Sequence, residues 1–354
     1  VLPGDGIGVE VMDACLPVLE TLAERVGGFR LSFDRLSGGA GEYLRTGTAL
    51  SDEAMKEVTR ADAILFGAMG LPDVRYPDGT EIAPQLDIRT ELELYAGVRP
   101  IRAIPGLPTP LRDPRADGID FVILREQTEG LYNSRGKGVT DDLGARDTML
   151  ITRAGSARIF DYAFSLAARR RKQGHPGQVT CVDKAGVLRS FAFMRQVFFE
   201  LAQAHPGILS TCANVDAVAL NLVLEPWSFD VIVTENMFGD ILSDLGAALI
   251  GGMGLAPSGD IGERHAMFQP CHGTAPDIAG TGKANPTAMF LSAAMMLEWL
   301  GERHRNERLT EAARVLEGAV REIFKDGSVR PFEFGGSDGT TSISRTVLAR
   351  LAAT

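Results

Sequence analysis

Short apolar runs alternate with amphipathic helical stretches along most of this chain, and that alternation restricts it to an α/β class of fold. Residues 61–66, 121–124, 179–182 and 229–233 read as buried strands. A further strand is expected over 30–36, and Val1-Leu2 reads as the end of another. Helical periodicity covers 9–26, 51–59 with Ser51 as cap, 89–95, about 187–204, 215–224, 286–300 and 309–324. Residues 67–88, which hold Pro72, Pro77, Gly79 and Pro84, read as a long loop of the kind that often carries function. A chain of 354 residues divides naturally into two lobes.

Composition narrows the classes of partner. The formal charge of −10 repels nucleic acid and anionic membrane alike. One basic run, Arg169-Arg170-Arg171-Lys172, ends a helical pattern before Gly174 and reads as positive charge complementing a helix C-terminus. Cys15, Cys181, Cys212 and Cys271 stand far apart with no Cys-x-x-Cys, which suits reduced thiols in a cytoplasmic protein. No His-x-x-x-His pair occurs, which argues against a zinc hydrolase, and no apolar run reaches the ~20 residues that span a bilayer. No signal peptide is legible; the chain begins at Val1 without methionine, so residues are expected upstream.

The chemistry concentrates in a few places. Asp240 and Asp244 stand four apart just after the 229–233 strand, so on a helix their carboxylates share one face. Like charges so placed form either a solvated face or a site for a hard divalent cation, Mg2+ or Mn2+. Arg89, Arg99 and Arg125 fall in loop or strand-end contexts, as surface or ion-pair residues or as a clamp for a di- or tricarboxylate. Lys184 follows the 179–182 strand beside Asp183, as an ion-pair lysine or a candidate base, and Asp216 is a helix N-terminal charge or a ligand. The turn Gly4-Asp5-Gly6-Ile7-Gly8 is either a tight turn or a phosphate-binding one. Its spacing is not the Rossmann fingerprint, and it lacks the Gly-Lys-Ser/Thr ending that a nucleotide-triphosphate site requires.

In this order, with Tyr132, Asn236-Met237-Phe238-Gly239-Asp240-Ile241-Leu242-Ser243-Asp244, His272-Gly273-Thr274-Ala275-Pro276-Asp277-Ile278-Ala279-Gly280 and Asn285-Pro286-Thr287, these residues resemble the β-decarboxylating dehydrogenases. That family comprises the isopropylmalate, isocitrate, homoisocitrate and tartrate/D-malate dehydrogenases, and the resemblance runs essentially the whole chain.

The resemblance implies a two-lobed fold with a mixed sheet, distinct from a Rossmann domain. One lobe comprises residues 1–94 and 251–354 and binds nucleotide; the other, 95–250, carries dimer contacts, metal and substrate. Asp240 and Asp244 would hold Mg2+ or Mn2+ with Asp216, which reaches the site with Lys184 from the partner subunit of a homodimer. Lys184 would be the base and Tyr132 the acid. Arg89, Arg99 and Arg125 would grip the carboxylates of a 3-substituted malate, with Gln85 and Leu86 beside its substituent. NAD would lie along His272, Gly273, Thr274, Ala275, Pro276, Asp277, Ile278 and Asn285, with Ile7 nearby. Asp277 would accept the ribose hydroxyls, whereas NADP-using members carry Lys-Tyr in place of Asp277-Ile278.

Two positions depart from the pattern. Isopropylmalate members place leucines where this chain has Gln85 and Leu86, and the family has asparagine where this chain has Gly186. 3-Isopropylmalate is the leading substrate, with tartrate, D-malate or another malate as the alternative and a noncatalytic dimeric homologue as a second. Closure of the lobes around substrate is also expected.

Overall fold

The computed structural model describes residues 1–353. The chain opens with strand β1 (Leu2–Gly4) and helix α1 (Ile7–Val26), followed by α2 (Ala40–Thr46), α3 (Asp52–Arg60), β2 (Ile64–Ala68) and α4 (Pro84–Glu91). The antiparallel pair β3 (Ala96–Arg102) and β4 (Asp120–Glu126) comes next, then a small hairpin, β5 (Val139–Asp141) and β6 (Gly144–Arg146). The central run is α5 (Arg153–Lys172), β7 (Gln178–Asp183), α6 (Arg189–Ala202), β8 (Leu209–Asn214), α7 (Val215–Leu224), β9 (Val231–Thr234) and α8 (Asn236–Leu249). It ends with β10 (Pro257–Ile261), β11 (Ala266–Pro270), α9 (Thr287–His304), α10 (Glu307–Lys325) and α11 (Thr340–Ala353).

Nine strands form one mixed sheet in the order β1-β2-β11-β10-β3-β4-β9-β7-β8. Strand β10 runs antiparallel to both β11 and β3, so the sheet is not doubly wound in the Rossmann manner. The α/β class read from the residues and the mixed sheet implied by the resemblance are both present. Helices cover both faces, and one continuous apolar core runs from Val11 and Leu19 of α1 to Phe160, Phe164 and Phe198 of α5 and α6.

Several local expectations are corrected. Residues 30–36 form no strand; Leu31 and Phe33 pack inward with the alternation of one, but the backbone is tied only by Leu36 N–H to the Val1 carbonyl at 2.9 Å and the Val1 amino group to Asp34 at 2.7 Å. The helix expected at 89–95 begins five residues earlier, because Pro84 has a fixed φ suited to its first turn. That places Gln85 and Leu86 on the helix with Arg89. The basic run does stand in the last turn of α5 as read, but Arg170 within it has a further, structural role. It is buried and bonds Asp230 Oδ1 through Nε at 2.6 Å.

The glycine turn is a packing device. Gly4 and Gly6 have φ of 77° and 53°, and a Cβ on Gly4 would lie 2.0 Å from the Ala68 carbonyl oxygen. Three of its N–H groups donate within the protein, Asp5 to Ala68, Ile7 to Thr274 and Gly8 to Asp5, while the Asp5 carboxylate accepts from Ala40, Gly41 and Gly70. Among the described residues no helix is long and apolar enough to cross a membrane.

Candidate active site

A cavity of about 310 Å³ opens at the carboxyl ends of β2 and β4, with α4 and α8 along its sides. Helical spacing in α4 turns Gln85, Leu86 and Arg89 into it. Arg99 enters from β3, while its strand neighbours Val98 and Pro100 line a separate cavity on the reverse of the sheet. Arg125 lies inside β4, not just beyond the strand as its apolar run suggested. Tyr132, Asp240 and Asp244 face it, and His272 and Gly273 form its rim.

Helix α8 starts where Glu235 accepts the backbone N–H groups of Met237 at 3.1 Å and Phe238 at 2.7 Å, an N-cap that sets the register of the aspartates. A Cβ at Gly239 would sit 2.7 Å from Arg125 Cβ, so glycine there lets the arginine lie against the helix. Arg125 donates through Nε and Nη2 to Asn236 Oδ1, at 2.9 and 2.8 Å, and pairs with Asp240. Burial and the charge of Arg89 bring its pKa down to about 10, so it remains a cation at neutral pH. The Tyr132 hydroxyl donates to Asp240 Oδ2, and burial with that bond raises its pKa to about 12. Asp244 makes no hydrogen bond or ion pair; burial and the Asp240 charge push its carboxyl up.

Behind the arginines lies Asp260 of β10, wholly buried. Burial would raise its carboxyl, but Arg89 and Arg99 hold it below the usual carboxylate range. Sequence reading passed over it, although a lone acid in Pro257-Ser258-Gly259-Asp260-Ile261 was the available signal. Its partners Gln127 and Gln269 were missed also. Asn236 stood in a motif but had no role ascribed to it.

Lys184 and Asp216 do not line the cavity. They pair with each other, Nζ to Oδ1 at 2.5 Å, at the adjacent ends of β7 and β8, with Asp216 in the first turn of α7. The hydrogen bond from Lys184 lowers the Asp216 pKa. Gly186 lies in the turn that follows, where an added Cβ would meet nothing within 4 Å.

The 272–285 loop is held from several sides. Thr274 is spent on structure: its hydroxyl donates to the Gly70 carbonyl at 2.7 Å and its own carbonyl accepts from Ile7 N–H at 2.8 Å. Ala275 takes a left-handed φ of 35°. Pro276 and Asp277 are exposed, and the Asp277 carboxylate has no partner; Ile278 is half-buried. Asn285 is buried, accepting from Thr287 N–H at the start of α9 and donating to Glu333 Oε1 at 2.8 Å. Burial lowers the His272 pKa, which keeps the ring neutral at physiological pH, and its Nε2 has no partner.

Residues 1–347 match the family model for isocitrate/isopropylmalate dehydrogenase. The chain is 39% identical over 355 residues to the 3-isopropylmalate/3-methylmalate dehydrogenase of Methanocaldococcus jannaschii, covering 99% of this chain and 98% of that one. It is 38% identical over 361 residues to a probable tartrate dehydrogenase/decarboxylase of Agrobacterium vitis, covering 99% and 96%. Among solved structures, isocitrate dehydrogenase from Methylococcus capsulatus is similar with a TM-score of 0.85 and 36% identity, over 99% of this chain and 98% of that one. With the arginines, the aspartate helix and the histidine-led rim all in place on this fold, the chain belongs to the isocitrate/isopropylmalate dehydrogenase family.

Proposed function

We propose that this protein catalyses the NAD-dependent, divalent-metal-dependent oxidative decarboxylation of a 3-substituted (R)-malate, with 3-isopropylmalate as the leading substrate. The observation that carries the reading is the convergence of Arg89, Arg99 and Arg125 with Asp240 and Asp244 on one cavity. Three cations suit a dicarboxylate, and hard carboxylate oxygens suit Mg2+ or Mn2+. Asp244 fits such an ion, being half-buried and unpartnered, with its charge disfavoured by burial and then by Asp240. Asp277, exposed and unpartnered at the rim loop, fits the ribose hydroxyls of NAD. Bound NAD would take the hydride from C2, and the divalent cation would polarise the C2 oxygen and the adjoining carboxylate.

The side chains then divide the work. Arg89, Arg99 and Arg125 hold the carboxylates, and Gln85 and Leu86 border the C3 substituent. Lys184 takes the proton of the C2 hydroxyl. After the 3-carboxylate leaves as CO2, Tyr132 returns a proton to C3; a phenol with a pKa near 12 is protonated for that task. Since Lys184 and Asp216 lie outside the cavity of their own chain, the reading requires a homodimer in which each chain supplies them to its partner's site. Leu220 and Leu224 of α7 and Ile241 of α8, each about 60% exposed, support an apolar interface there. The two-lobed division, 1–94 with 251–354 and 95–250, and a cytoplasmic location belong to the same reading.

Gln85 favours a second substrate. Its amide has no protein partner and its carbonyl oxygen is buried, so a malate with a hydroxyl at C3, such as tartrate, would satisfy what an isopropyl group leaves bare. NADH formation with Mn2+, measured on 3-isopropylmalate, D-malate, tartrate and isocitrate with NADP and EDTA controls, tests both readings. Turnover of none would sink them and favour a noncatalytic homologue.

A further inference from the structure

Asp260 lies in β10 with no exposed surface. Strand alternation turns it, with Ser258, toward the front cavity, while Pro257 and Ile261 line the cavity behind the sheet. A buried carboxylate is tolerated only when its lone pairs are met, and here each oxygen faces two donors. Oδ1 accepts from Gln127 Nε2 at 2.7 Å and lies 3.1 Å from Arg99 Nη1. Oδ2 accepts from Arg89 Nε at 2.8 Å and from Gln269 Nε2 at 2.9 Å. The donors come from α4, β3, the segment after β4, and β11.

We infer that Asp260 is a positioning residue that orients Arg89 and Arg99 for a carboxylate ligand, setting affinity and not the chemical step. The inference deepens the function proposed above and rests on it. Arg89 spends its Nε on Asp260, so both terminal nitrogens remain for a ligand. Arg99 Nη1 sits close to Oδ1 but is angled away from a hydrogen bond, leaving a buried donor unspent at the cavity wall. Asp260 also offsets three like charges that converge on one cavity, and it does so from behind, where it does not compete with the ligand. An amide at this position would turn an NH2 group against two of the four donors.

Isothermal titration of D-malate in the presence of Mn2+ into the purified full chain tests this. Asp260→Asn is expected to weaken Kd about tenfold or more, since hydrogen bonds to charged groups are at stake. Asp260→Asn combined with Gln269→Glu returns the carboxylate to the same cluster and is expected to restore Kd to within about threefold of wild type. Asp230→Asn is the structural control. That carboxylate is equally buried and bonded to Arg170, Gly177 and Gln178, but far from the cavity. It should lower the thermal midpoint and leave Kd within about twofold.

An unchanged Kd in Asp260→Asn, equal weakening in Asp230→Asn, or a folded double variant without rescue overturns the inference. If Asp260→Asn does not fold, Gln269→Met withdraws one donor and keeps the charge: a rise in Kd of about threefold supports the role and no change overturns it. Wild-type protein that binds D-malate but oxidises no malate would sink the proposed reaction and leave this test standing, whereas no binding of D-malate would overturn this inference and leave the proposed reaction to the turnover assay.

Discussion

The Tyr132 hydroxyl donates to Asp240 Oδ2 at 2.7 Å, joining the proposed proton donor to a proposed metal ligand. A phenol raised to about 12 keeps its proton throughout the neutral range, so its contribution is lost only by removing the oxygen. Tyr132→Phe keeps the ring beside Arg125, 5.2 Å from its guanidinium carbon, and should fold normally. Its kcat is expected to fall about a hundredfold or more with KM changed only a few-fold, as initial rates would show. A kcat within about twofold of wild type would remove Tyr132 from the mechanism.

Division of each site between two chains makes a sharper prediction. In a hybrid of Lys184→Ala and Tyr132→Phe subunits, one site receives both intact residues and the other neither. Mixed by co-expression, these two inactive proteins should regain about a quarter of wild-type activity, because half of randomly paired dimers carry one intact site. Failure to regain activity in demonstrably hybrid dimers would place Lys184 in its own chain's site or outside the reaction.

Burial and, after it, the neighbouring charge of Asp240 disfavour the ionised Asp244 carboxylate. Asp244→Asn should stabilise the metal-free protein by about 0.5 kcal/mol, the scale of a like-charge i,i+4 pair that is partly screened by solvent. The same variant should lose most of the rise in thermal midpoint that Mn2+ gives the wild type. An unchanged Mn2+ response would show that the ion binds elsewhere.

Gln85→Leu closes the apolar wall on α4 and removes a buried, unpartnered carbonyl oxygen. The ratio of kcat/KM for 3-isopropylmalate over tartrate should rise by about ten- to a hundredfold. No shift in that ratio would mean that the C3 substituent lies away from this helix.

Much of this arrangement is legible in the sequence. Asp240 and Asp244 declared themselves because helix spacing and a preceding apolar strand are local signals. What stayed hidden depended on distant partners or lacked a hydrophobic period. Asp260 has meaning only through Arg89, 171 residues away, through Arg99, and through the amides of Gln127 and Gln269. Strand β3 was missed because Arg99, Pro100 and Arg102 break its apolar run, although they lie in a strand paired on both sides. Strands β5 and β6 are exposed at every residue and leave no burial pattern to read. The helix start at Pro84 was misplaced by reading proline as loop punctuation where it opens a first turn.

The pairing of β2 with β11 and of β3 with β10 has a consequence for how the molecule comes into being. Strand β2 pairs early with β1, and β3 with β4, but each gains its second sheet neighbour only once the chain has been synthesised through β10 and β11. Until then the apolar edge of β2 and the arginine-bearing edge of β3 are bare. Such long-range closure slows folding and exposes intermediates to aggregation, so the nascent N-terminal third is the part of this enzyme that most needs shielding during translation.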